Sequence, residues 1–303
     1  MELAIDVRGL RKQFGRTEVL AGLDLAVPQG SVFALLGPNG AGKTTTINIL
    51  TTLVVPDAGT ARVAGHDVVD RPGEVQQRIA LTGQSAAVDE VLTATENLVM
   101  MGRLSGLTRR DAKARAAELL RRFDLDAAAD RRVGTYSGGM RRRLDLALSL
   151  VVDVPVLFLD EPTTGLDTRS RQELWTVIRT LADAGTTVFL TTQYLEEADR
   201  LADRIAVLDR GRIAAEGTAD ELKSRVGGDV VELRDADGAL VREIPTDGSV
   251  HGLRAAIDEL DRASAVGGGD GVQVSIRRPS LDDVFLAITA GAEASTPELV
   301  EAR

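Results

Sequence analysis

The segment Gly37–Thr44 constrains the fold of this chain more than any other stretch of its sequence. It reads Gly-Pro-Asn-Gly-Ala-Gly-Lys-Thr, which fits the pattern G-x-x-x-x-G-K-[ST] of a phosphate-binding loop. The apolar run Ser31–Leu36 before it is typical of a buried strand, and Thr44–Leu50 after it can begin a helix. Glycines let the backbone close around a phosphate, the helix N-terminus offers unpaired N–H groups, and Lys43 adds a positive charge. The sequence therefore predicts a strand–loop–helix unit that binds a nucleoside triphosphate.

Composition excludes several other classes of protein. The chain has 303 residues, of which 44% are hydrophobic, and this length suggests about two domains with ample core. It contains no Cys, which excludes disulfides, thiolate metal sites and Cys nucleophiles. No apolar run approaches the roughly 18 residues that span a bilayer, and Met1–Asp6 lacks a basic signal region. We therefore expect a chain that is cytosolic or bound peripherally to a membrane.

The charge balance argues against nucleic acid as a partner. The net charge is −10, and the aromatic residues are six Phe, two Tyr and one Trp, so a broad phosphate-binding surface and stacking platforms are both disfavoured. The basic runs Arg121–Arg122, Arg131–Arg132 and Arg141–Arg143 lie inside or beside helical patterns. We interpret them as solvated helix faces.

Buried strands alternate with helices over the first two thirds of the chain, which predicts a parallel α/β sheet with crossovers. The clearest strands are Ser31–Leu36, Arg78–Leu81, Val156–Leu159 and Thr187–Thr191, and Val207–Ile213 reads as a hairpin. Between about Ala86 and Val152 the pattern is nearly all helical. One helix there follows the cap Thr108-x-x-Asp111 and carries an apolar stripe of Ala112, Ala116, Leu119, Leu120 and Phe123. A helical subdomain at about 86–152 is therefore expected as an insertion into the sheet.

A small α+β module is predicted after Gly227-Gly228, which is interpreted as a linker. Its expected elements are strands at Val230–Leu233 and Val272–Ile276, a helix with an apolar stripe of Leu253, Ala256, Ile257 and Leu260, and a last helix that begins at Ser280. Residues 291–303 are predicted to form a disordered tail. The expected division is thus a first domain over 1–226 and a module over 229–290.

Two further motifs are suited to phosphate chemistry. The apolar strand Val156–Leu159 ends in Asp160 and Glu161; the first can hold Mg²⁺ through water, and the second can orient or deprotonate an attacking water. Tyr136-Ser-Gly-Gly-Met140 opens a helix, so it offers a hydroxyl and exposed N–H groups at a positive helix end. Neither motif is specific alone, but the signal strengthens when both follow a phosphate loop.

The order of these motifs resembles the ATPase subunit of an ABC transporter over about residues 3 to 226. The matching segments are Gly37–Thr44, Gln84, Tyr136–Met140, Leu157–Glu161, Thr164–Asp167 and Thr191–Gln193. Longer runs around Gln84, Ser137 and Gln193, and the closing Pro279–Thr289, are similar to the daunorubicin-resistance type of drug exporter. The resemblance implies an α/β P-loop NTPase fold of the ABC ATPase type, with an inserted helical subdomain and a small α+β C-terminal module.

The resemblance also implies the roles of individual residues around ATP. Phe14 would stack on adenine, unless it is a plain core residue. The loop itself, through backbone N–H groups from Asn39 to Thr45, would hold the phosphates, and Lys43 would bridge the β- and γ-oxygens. The implied loop residues are Gly37, Pro38, Asn39, Gly40, Ala41, Gly42, Lys43, Thr44 and Thr45.

For Mg²⁺, the resemblance implies Thr44, Asp160 and Gln84, the last unless it is only a surface residue. Glu161 would be the general base. Ser137, Gly138 and Gly139 would close over the γ-phosphate held by a second subunit, and Asp167 would lie at the interface. The active species would therefore be a homodimer that sandwiches ATP.

Gln193 stands where the family pattern usually places a His. Glutamine donates and accepts hydrogen bonds, but it cannot carry a proton between water and phosphate. We expect Gln193 to position the γ-phosphate while Glu161 handles the water. A slow or regulated ATPase is also compatible with this residue.

The favoured function is the ATP-hydrolysing subunit of an exporter of a drug or other amphipathic compound, at the cytoplasmic face of the membrane. A separate integral membrane permease would dock around Gln84–Arg103. The alternatives are a soluble ABC-type ATPase acting on ribosomes or DNA, and a nucleotide-binding regulator with little turnover. The C-terminal module is expected to act as a dimer brace or as a regulatory contact with the partner.

Overall fold

A computed structural model describes residues 2–83, 87–235, 237, 239–264 and 273–293. Its contacts divide the chain into two compact units, Met1–Glu216 and Gly217–Arg303. Thirteen strands are found in the described residues: β1 Leu3–Phe14, β2 Thr17–Pro28, β3 Val32–Leu36, β4 Ala58–Val63, β5 His66–Asp67, β6 Ile79–Thr82, β7 Val156–Asp160, β8 Thr187–Thr192, β9 Arg204–Asp209, β10 Arg212–Gly217, β11 Asp229–Arg234, β12 Leu240–Thr246 and β13 Gln273–Arg277.

Ten α-helices lie in the same part of the chain: α1 Lys43–Leu50, α2 Pro72–Gln76, α3 Ala94–Leu104, α4 Arg109–Arg122, α5 Gly138–Ser149, α6 Thr168–Asp183, α7 Leu195–Leu201, α8 Ala219–Val226, α9 Val250–Ser264 and α10 Leu281–Glu293. Two short 3₁₀ turns, Asp126–Ala128 and Val133–Thr135, join α4 to α5. None of the described helices has both the length and the apolar character needed to cross a bilayer.

The predicted parallel sheet forms the centre of the first unit. Its order is β10-β9-β3-β8-β7-β6, and β3, β7 and β8 are buried along their whole length. This burial matches the continuous apolar runs by which these strands were predicted. The β9–β10 hairpin turns through Arg210 and Gly211, both with positive φ, as a two-residue turn requires when it follows the twist of its strands. Parallel pairing places Asp160 of β7 opposite Thr191 of β8.

A second sheet of the first unit was not predicted. It is antiparallel, with the order β2-β1-β4-β5. Its long strands combine buried positions with exposed charged ones, such as Arg8 directly after Val7 and Arg11 directly after Leu10. Such strands lack the continuous apolar run by which the parallel strands were recognised.

One apolar core lies between the two sheets and around α1. Ile5 and Leu23 of the antiparallel sheet belong to the same buried cluster as Phe33, Phe158 and Phe189 of the parallel sheet. The rings of Phe33 and Phe189 stack with centroids 5.7 Å apart, and Phe158 tilts against Phe189 at 5.6 Å. Offset aromatic pairs of this kind add to the free energy of area burial. The core therefore fixes the ends of β3, β7 and β8, where the predicted site residues lie.

The region predicted as a helical subdomain contains α3, α4 and α5. Every member of the predicted α4 stripe is buried, and the Thr108 hydroxyl accepts the Asp111 N–H at 3.2 Å, which confirms the cap. The interpretation of the arginine runs was wrong for Arg142. Its side chain is buried (8% exposed), because it faces the ends of β6 and β7 rather than solvent.

The second unit begins earlier than expected. Its first helix is α8, whose buried Leu222 lies on the side that packs with α10. The contacts therefore place the boundary at Glu216–Gly217, and Gly227-Gly228 joins α8 to β11 inside the second unit. The predicted boundary at 226 followed the glycine pair, which marks the end of a helix here rather than the end of a domain.

The sheet of the second unit has the order β12-β11-β13. Strand β12 was not predicted, since it is mostly exposed. Val231, Leu233, Ala256 and Leu260 form the small core, but Ile257 is exposed and its placement in the predicted stripe was wrong. Helix α10 runs through Glu293, so residues 291–293 are helical rather than part of a tail. The remaining tail residues, 294–303, lie outside the described residues.

Candidate nucleotide site

The phosphate loop joins the end of β3 to the start of α1. Gly40 and Gly42 have φ values of 81° and 112°, a backbone region that glycine adopts without a Cβ clash. A Cβ on Gly42 would also lie 2.8 Å from the Leu20 side chain, and one on Gly37 would lie 2.5 Å from the Leu208 carbonyl oxygen. The loop conformation and its close packing therefore both require glycine at these positions.

Lys43, the first residue of α1, has its ammonium group inside the loop. Its Nζ donates to the carbonyl oxygens of Gly37 at 2.8 Å and Pro38 at 3.2 Å. It also lies 3.8 Å from a carboxylate oxygen of Glu161. Burial lowers the pKa of the Lys43 ammonium from its ordinary value, and the carboxylates of Glu161 and Asp160 partly oppose that effect. A phosphate group would offer this buried cation a stronger counter-charge than the carbonyls do.

Thr44, Asp160 and Thr191 form a compact group of oxygen atoms beside the loop. The Thr44 hydroxyl donates to Asp160 Oδ2 at 3.2 Å, and the Thr191 hydroxyl donates to Asp160 Oδ1 at 2.6 Å. Asp160 is buried. Oxygen atoms of hydroxyl and carboxylate groups are the metal ligands that Mg²⁺ prefers. A protein usually supplies one or two of them, and water and phosphate supply the rest. The donor set at Thr44 and Asp160 therefore fits Mg²⁺.

Glu161 follows directly after β7 in an uncommon backbone conformation. Its φ is 48°, in the left-handed region that a non-glycine residue occupies only when its surroundings hold it there. Its N–H donates to the Thr191 carbonyl at 3.1 Å and lies 3.2 Å from the Thr191 hydroxyl. Its Oε2 accepts a hydrogen bond from Thr164 at 3.3 Å. The turn thus directs this carboxylate toward the Lys43 ammonium at the phosphate loop.

Arg142 and Asp145 are buried on α5 behind these groups. Arg142 Nη1 donates to Asp145 Oδ2 at 3.2 Å, and Asp145 Oδ1 accepts the N–H of Ala87 at 2.7 Å. Burial lowers the pKa of the Arg142 guanidinium and raises the pKa of the Asp145 carboxyl. The pair therefore connects α5 to the chain that follows the Gln84 position.

The Ser-Gly-Gly motif and Asp167 form a second, separate cluster. Ser137 caps α5 by accepting the Met140 N–H at 3.3 Å, and Asp167 caps α6 through the N–H and hydroxyl of Ser170 at 2.8 and 3.0 Å. Ser170 also packs on Gly139, where an added Cβ would lie 2.4 Å from its hydroxyl oxygen. Ser137, Gly138 and Asp167 are exposed. This cluster therefore presents a helix N-terminus to the outside of the chain.

The remaining predicted residues have different surroundings. Phe14 ends β1 and is half exposed (50%), with the Lys12 ammonium 5.3 Å from its ring centre, so it is not a core residue. Gln193 is exposed and follows β8. Gln84 lies outside the described residues.

Sequence reasoning missed three residues that bond to the cluster around Asp160 and Glu161. Thr191 was noted only as the end of a predicted strand and as part of a matching segment, although its position at the end of the strand beside β7 could have indicated the contact with Asp160. The sequence around Arg142 and Asp145 did not indicate that these residues are buried, because an arginine run followed by an acidic residue is equally typical of a solvent-exposed helix.

The site is that of an ATPase with a phosphate loop, and comparison with known proteins identifies its class. The ABC transporter family profile matches residues 20–164. The chain is 53% identical to the daunorubicin/doxorubicin resistance ATP-binding protein DrrA of Streptomyces peucetius, over 98% of this chain and 96% of that protein. It is 40% identical to the Nod factor export ATP-binding protein I of Burkholderia orbicola, over 94% and 96% of the two chains.

Among solved structures, an ATP-binding subunit of an ABC transporter matches with a TM-score of 0.65 and 28% identity, covering 74% of this chain and 93% of that one. The chain therefore belongs to the ABC transporter family, in the branch of the daunorubicin- and doxorubicin-resistance ATP-binding proteins. It is an ABC-type ATPase subunit of the exporter kind.

Proposed function

We propose that this chain binds and hydrolyses ATP as a homodimer and thereby drives efflux of a drug or another amphipathic compound through a separate integral membrane permease. The observation that carries the proposal is the cluster of Lys43, Thr44, Asp160 and Glu161 around the phosphate loop. The names of the relatives, which concern daunorubicin, doxorubicin and Nod factors, support an amphipathic organic substrate. The working position would be the cytoplasmic face of the membrane.

Binding of ATP follows from the loop and from Phe14. The half-exposed Phe14 ring offers a stacking face for adenine. Backbone N–H groups from Asn39 to Thr45 would surround the phosphates at the positive end of α1. Lys43 would exchange its contacts with the Gly37 and Pro38 carbonyls for phosphate oxygens. Mg²⁺ held by Thr44 and Asp160, with Gln84 as the third expected ligand, would neutralise charge on the β- and γ-phosphates.

Hydrolysis would use Glu161 as the base that orients and deprotonates the attacking water. Its carboxylate lies 3.8 Å from Lys43 Nζ, so it is close to where a γ-phosphate would lie. Gln193, at the end of the neighbouring strand, would hydrogen-bond the γ-phosphate. Since glutamine does not titrate, proton transfer would rest on Glu161.

The second cluster supports the dimer. Ser137 and Gly138 are exposed at a helix N-terminus and are followed by the buried Gly139, and the hydroxyl and the first N–H groups of such a helix end are suited to an anion. In a two-fold dimer, each such surface would meet the phosphate loop of the other subunit. Asp167 would lie beside it at the interface, with Ser170 linking the two.

A groove of the first unit supports docking of the permease. It has a volume of about 430 Å³ and lies between the edge of the parallel sheet and the helices α3 and α5. Its lining is largely apolar and includes Leu81, Met101, Leu148 and Val152. Met100 and Leu104 of α3 are also exposed. An apolar groove of this kind suits a short helix of a membrane partner.

The first test is the Glu161→Gln variant of the full chain, which keeps the shape of the side chain and removes the base. We expect its ATP turnover to fall by about 10²-fold or more, while ATP binding persists and dimers accumulate with ATP and Mg²⁺. The matched control is Glu118→Gln, an exposed carboxylate on α4 that pairs with Arg115. Turnover of Glu161→Gln equal to wild type would remove Glu161 from the role of base.

The same trapped variant identifies the partner by pull-down from membranes, followed by mass spectrometry. A multi-span membrane protein at near-equal stoichiometry is the expected result. Recovery of ribosomes or DNA instead would favour a soluble ABC-type ATPase, the alternative function.

A further inference from the structure

Arg142 bonds to the backbone on both sides of Glu161. Its Nε donates to the Pro162 carbonyl at 2.8 Å, and its Nη2 approaches the Asp160 carbonyl at 3.4 Å. The two acceptors belong to the residues directly before and after Glu161. The same guanidinium donates from Nη1 to the Gly83 carbonyl at 2.7 Å. One buried side chain thus holds the peptide group directly before Glu161 and the one directly after Pro162, which together bracket the turn that carries the Glu161 side chain.

We propose that Arg142 is a positioning residue for ATP hydrolysis, which clamps the carbonyls of Asp160 and Pro162 and thereby holds Glu161 in its catalytic orientation. The inference rests on the proposed role of Glu161 as the base. In this proposal Arg142 does not contact the nucleotide, because the hydrogen bonds of its guanidinium go to backbone carbonyls and to Asp145.

The conformation of Glu161 explains why a clamp is needed. A glutamate with a φ of 48° occupies a backbone region that is unfavourable unless its neighbours stabilise it. Thr191 holds the N–H of Glu161, but the carbonyls of Asp160 and Pro162, on the residues before and after it, need donors of their own. Arg142 supplies both from one planar group. Without it, the turn after β7 would relax toward an ordinary φ, and the carboxylate would leave the phosphate loop.

The chemistry of the side chain also favours arginine over any other cation. The guanidinium carries five N–H donors in a rigid fork, whereas a lysine ammonium is a point charge on a flexible stem. Here the fork reaches three carbonyls and the Asp145 carboxylate. Asp145 keeps the fork in place and neutralises its charge, which an otherwise unpaired buried cation would require.

The test compares Arg142→Lys with wild type in the full chain. Lysine retains the charge and can still pair with Asp145, but it cannot reach both carbonyls in the same geometry. We expect kcat for ATP to fall about 10- to 100-fold, as misplacement of a catalytic group by about 1 Å does. The Kd for a fluorescent ATP analogue should stay close to wild type, and the thermal midpoint should fall less than in Arg142→Ala, because the buried charge pair with Asp145 remains. Arg142→Ala should show the same loss of kcat together with a lower thermal midpoint.

Arg115→Ala is the matched control. Arg115 also bonds two successive backbone carbonyls, those of Leu150 and Val151, at 2.8 and 3.2 Å, but it lies on α4 and holds no residue of the nucleotide site. Its removal should leave kcat within about twofold of wild type, although the thermal midpoint falls. This control separates loss of a carbonyl clamp in general from loss of the clamp around Glu161.

A double-variant cycle decides whether Arg142 acts through Glu161. In the Glu161→Gln background the additional Arg142→Lys change should lower the remaining turnover by less than about twofold, because no base is left to position. A loss that multiplies with that of Glu161→Gln, or a wild-type kcat for Arg142→Lys, would overturn the positioning role alone. A wild-type kcat for Glu161→Gln by itself would overturn the proposed base and, with it, this inference.

Discussion

The two halves of the candidate ATP site are built in opposite ways. Around Lys43, the side chains of Lys43, Asp160 and Thr191 are buried, and Asp160 bonds both to Thr191 and to the exposed Thr44. Around Ser137, the groups are exposed, and their bonds serve the helix ends that carry them. The first half is therefore held together by bonds within one chain. The second half is an exposed helix N-terminus, and the ligand proposed for it is the nucleotide held by another subunit. This contrast is what an ATP site shared between two subunits requires.

The contrast also predicts how each half tolerates substitution. In the buried half, a change disturbs several partners at once, since one carboxylate of Asp160 serves both Thr44 and Thr191. In the exposed half, a substitution at Gly138 would cause no steric clash at Cβ, because an added Cβ would contact only the Leu166 side chain, at 3.7 Å. Function should therefore be lost at both halves, but structure should be lost mainly at the first.

The largest expected effect tests whether the two halves come from different chains. Lys43→Ala removes the buried cation, and Gly138→Asp places a negative charge where the γ-phosphate of the other subunit would lie. Each variant alone should lose ATP turnover by about 10²-fold or more. A mixture of the two should recover activity, because a mixed dimer contains one site with both an intact loop and an intact Ser-Gly-Gly motif.

The recovered activity should approach about a quarter of the wild-type rate, since about half of the dimers are mixed and each has one working site. The exposed Lys113→Ala serves as a mixing control that stays active alone. No recovery in mixtures whose exchange of subunits is verified would show that both halves act within one chain, and the contrast would then need another explanation.

A smaller effect distinguishes two adjacent glycines of the exposed half. Gly139→Ala would place its Cβ 2.4 Å from the Ser170 hydroxyl oxygen, so Ser170 and the start of α6 must shift. We expect a loss of about 1–3 kcal/mol in the free energy of unfolding, typical of overpacking. Gly138→Ala is its matched control and should be neutral or slightly stabilising, because alanine favours the helix. Denaturant unfolding of both variants measures the difference, and equal stabilities would contradict the packing at Ser170.

The smallest expected effect concerns Glu197, a buried carboxyl at the start of α7 behind the site. Its Oε1 accepts the Trp175 indole N–H at 3.1 Å, and burial raises the pKa of Glu197, although the nearby polar groups of Thr192, Trp175 and Thr163 and the charge of Arg142 oppose that rise. A raised pKa means that the folded state favours the protonated form. The contribution of Glu197 to stability is therefore fully present below the pKa of an unfolded glutamate and is lost as pH rises through the folded value.

Glu197→Gln keeps the acceptor for Trp175 and cannot ionise. It should raise the thermal midpoint relative to wild type by about 2 °C at pH 8 and by less at pH 5. Trp175 is the single tryptophan of the chain, so its fluorescence follows unfolding at this place. Glu196→Gln, on the exposed neighbour, should show no such dependence. A stabilisation of Glu197→Gln that does not grow with pH would rule out this ionisation as its cause.

Sequence reasoning succeeded where a motif fixes its own surroundings. The loop at Gly37–Thr44 predicted a strand before it and a helix after it, and the apolar run before Asp160 predicted a buried strand; all of these elements are present. Reasoning failed where long-range packing decides the environment. Arg142 was assigned to a solvated face because neighbouring arginines are usually exposed, and only the meeting of α5 with the ends of β6 and β7 buries it.

The same limit applies to the second unit. Val230–Leu233 was predicted as a strand from the alternation in its sequence, and it forms most of β11. Strand β12 escaped notice, because most of its side chains face solvent and its pairing with β11 is visible only in three dimensions. The glycines at 227 and 228 gave a strong local signal for a break, but only the packing of α8 against α10 shows to which unit the helix belongs.

The placement of α8 changes where this polypeptide can be divided. A deletion that begins after Val226 would leave α8 attached to the ATPase unit and deprive Leu222 of the helix that covers it, so the shortened protein would carry a new apolar surface. Ending the ATPase unit at Glu216 instead leaves both cores whole. Any experiment that asks what the last third of the chain contributes to subunit association or turnover should therefore cut there, because otherwise aggregation would be mistaken for loss of a partner contact.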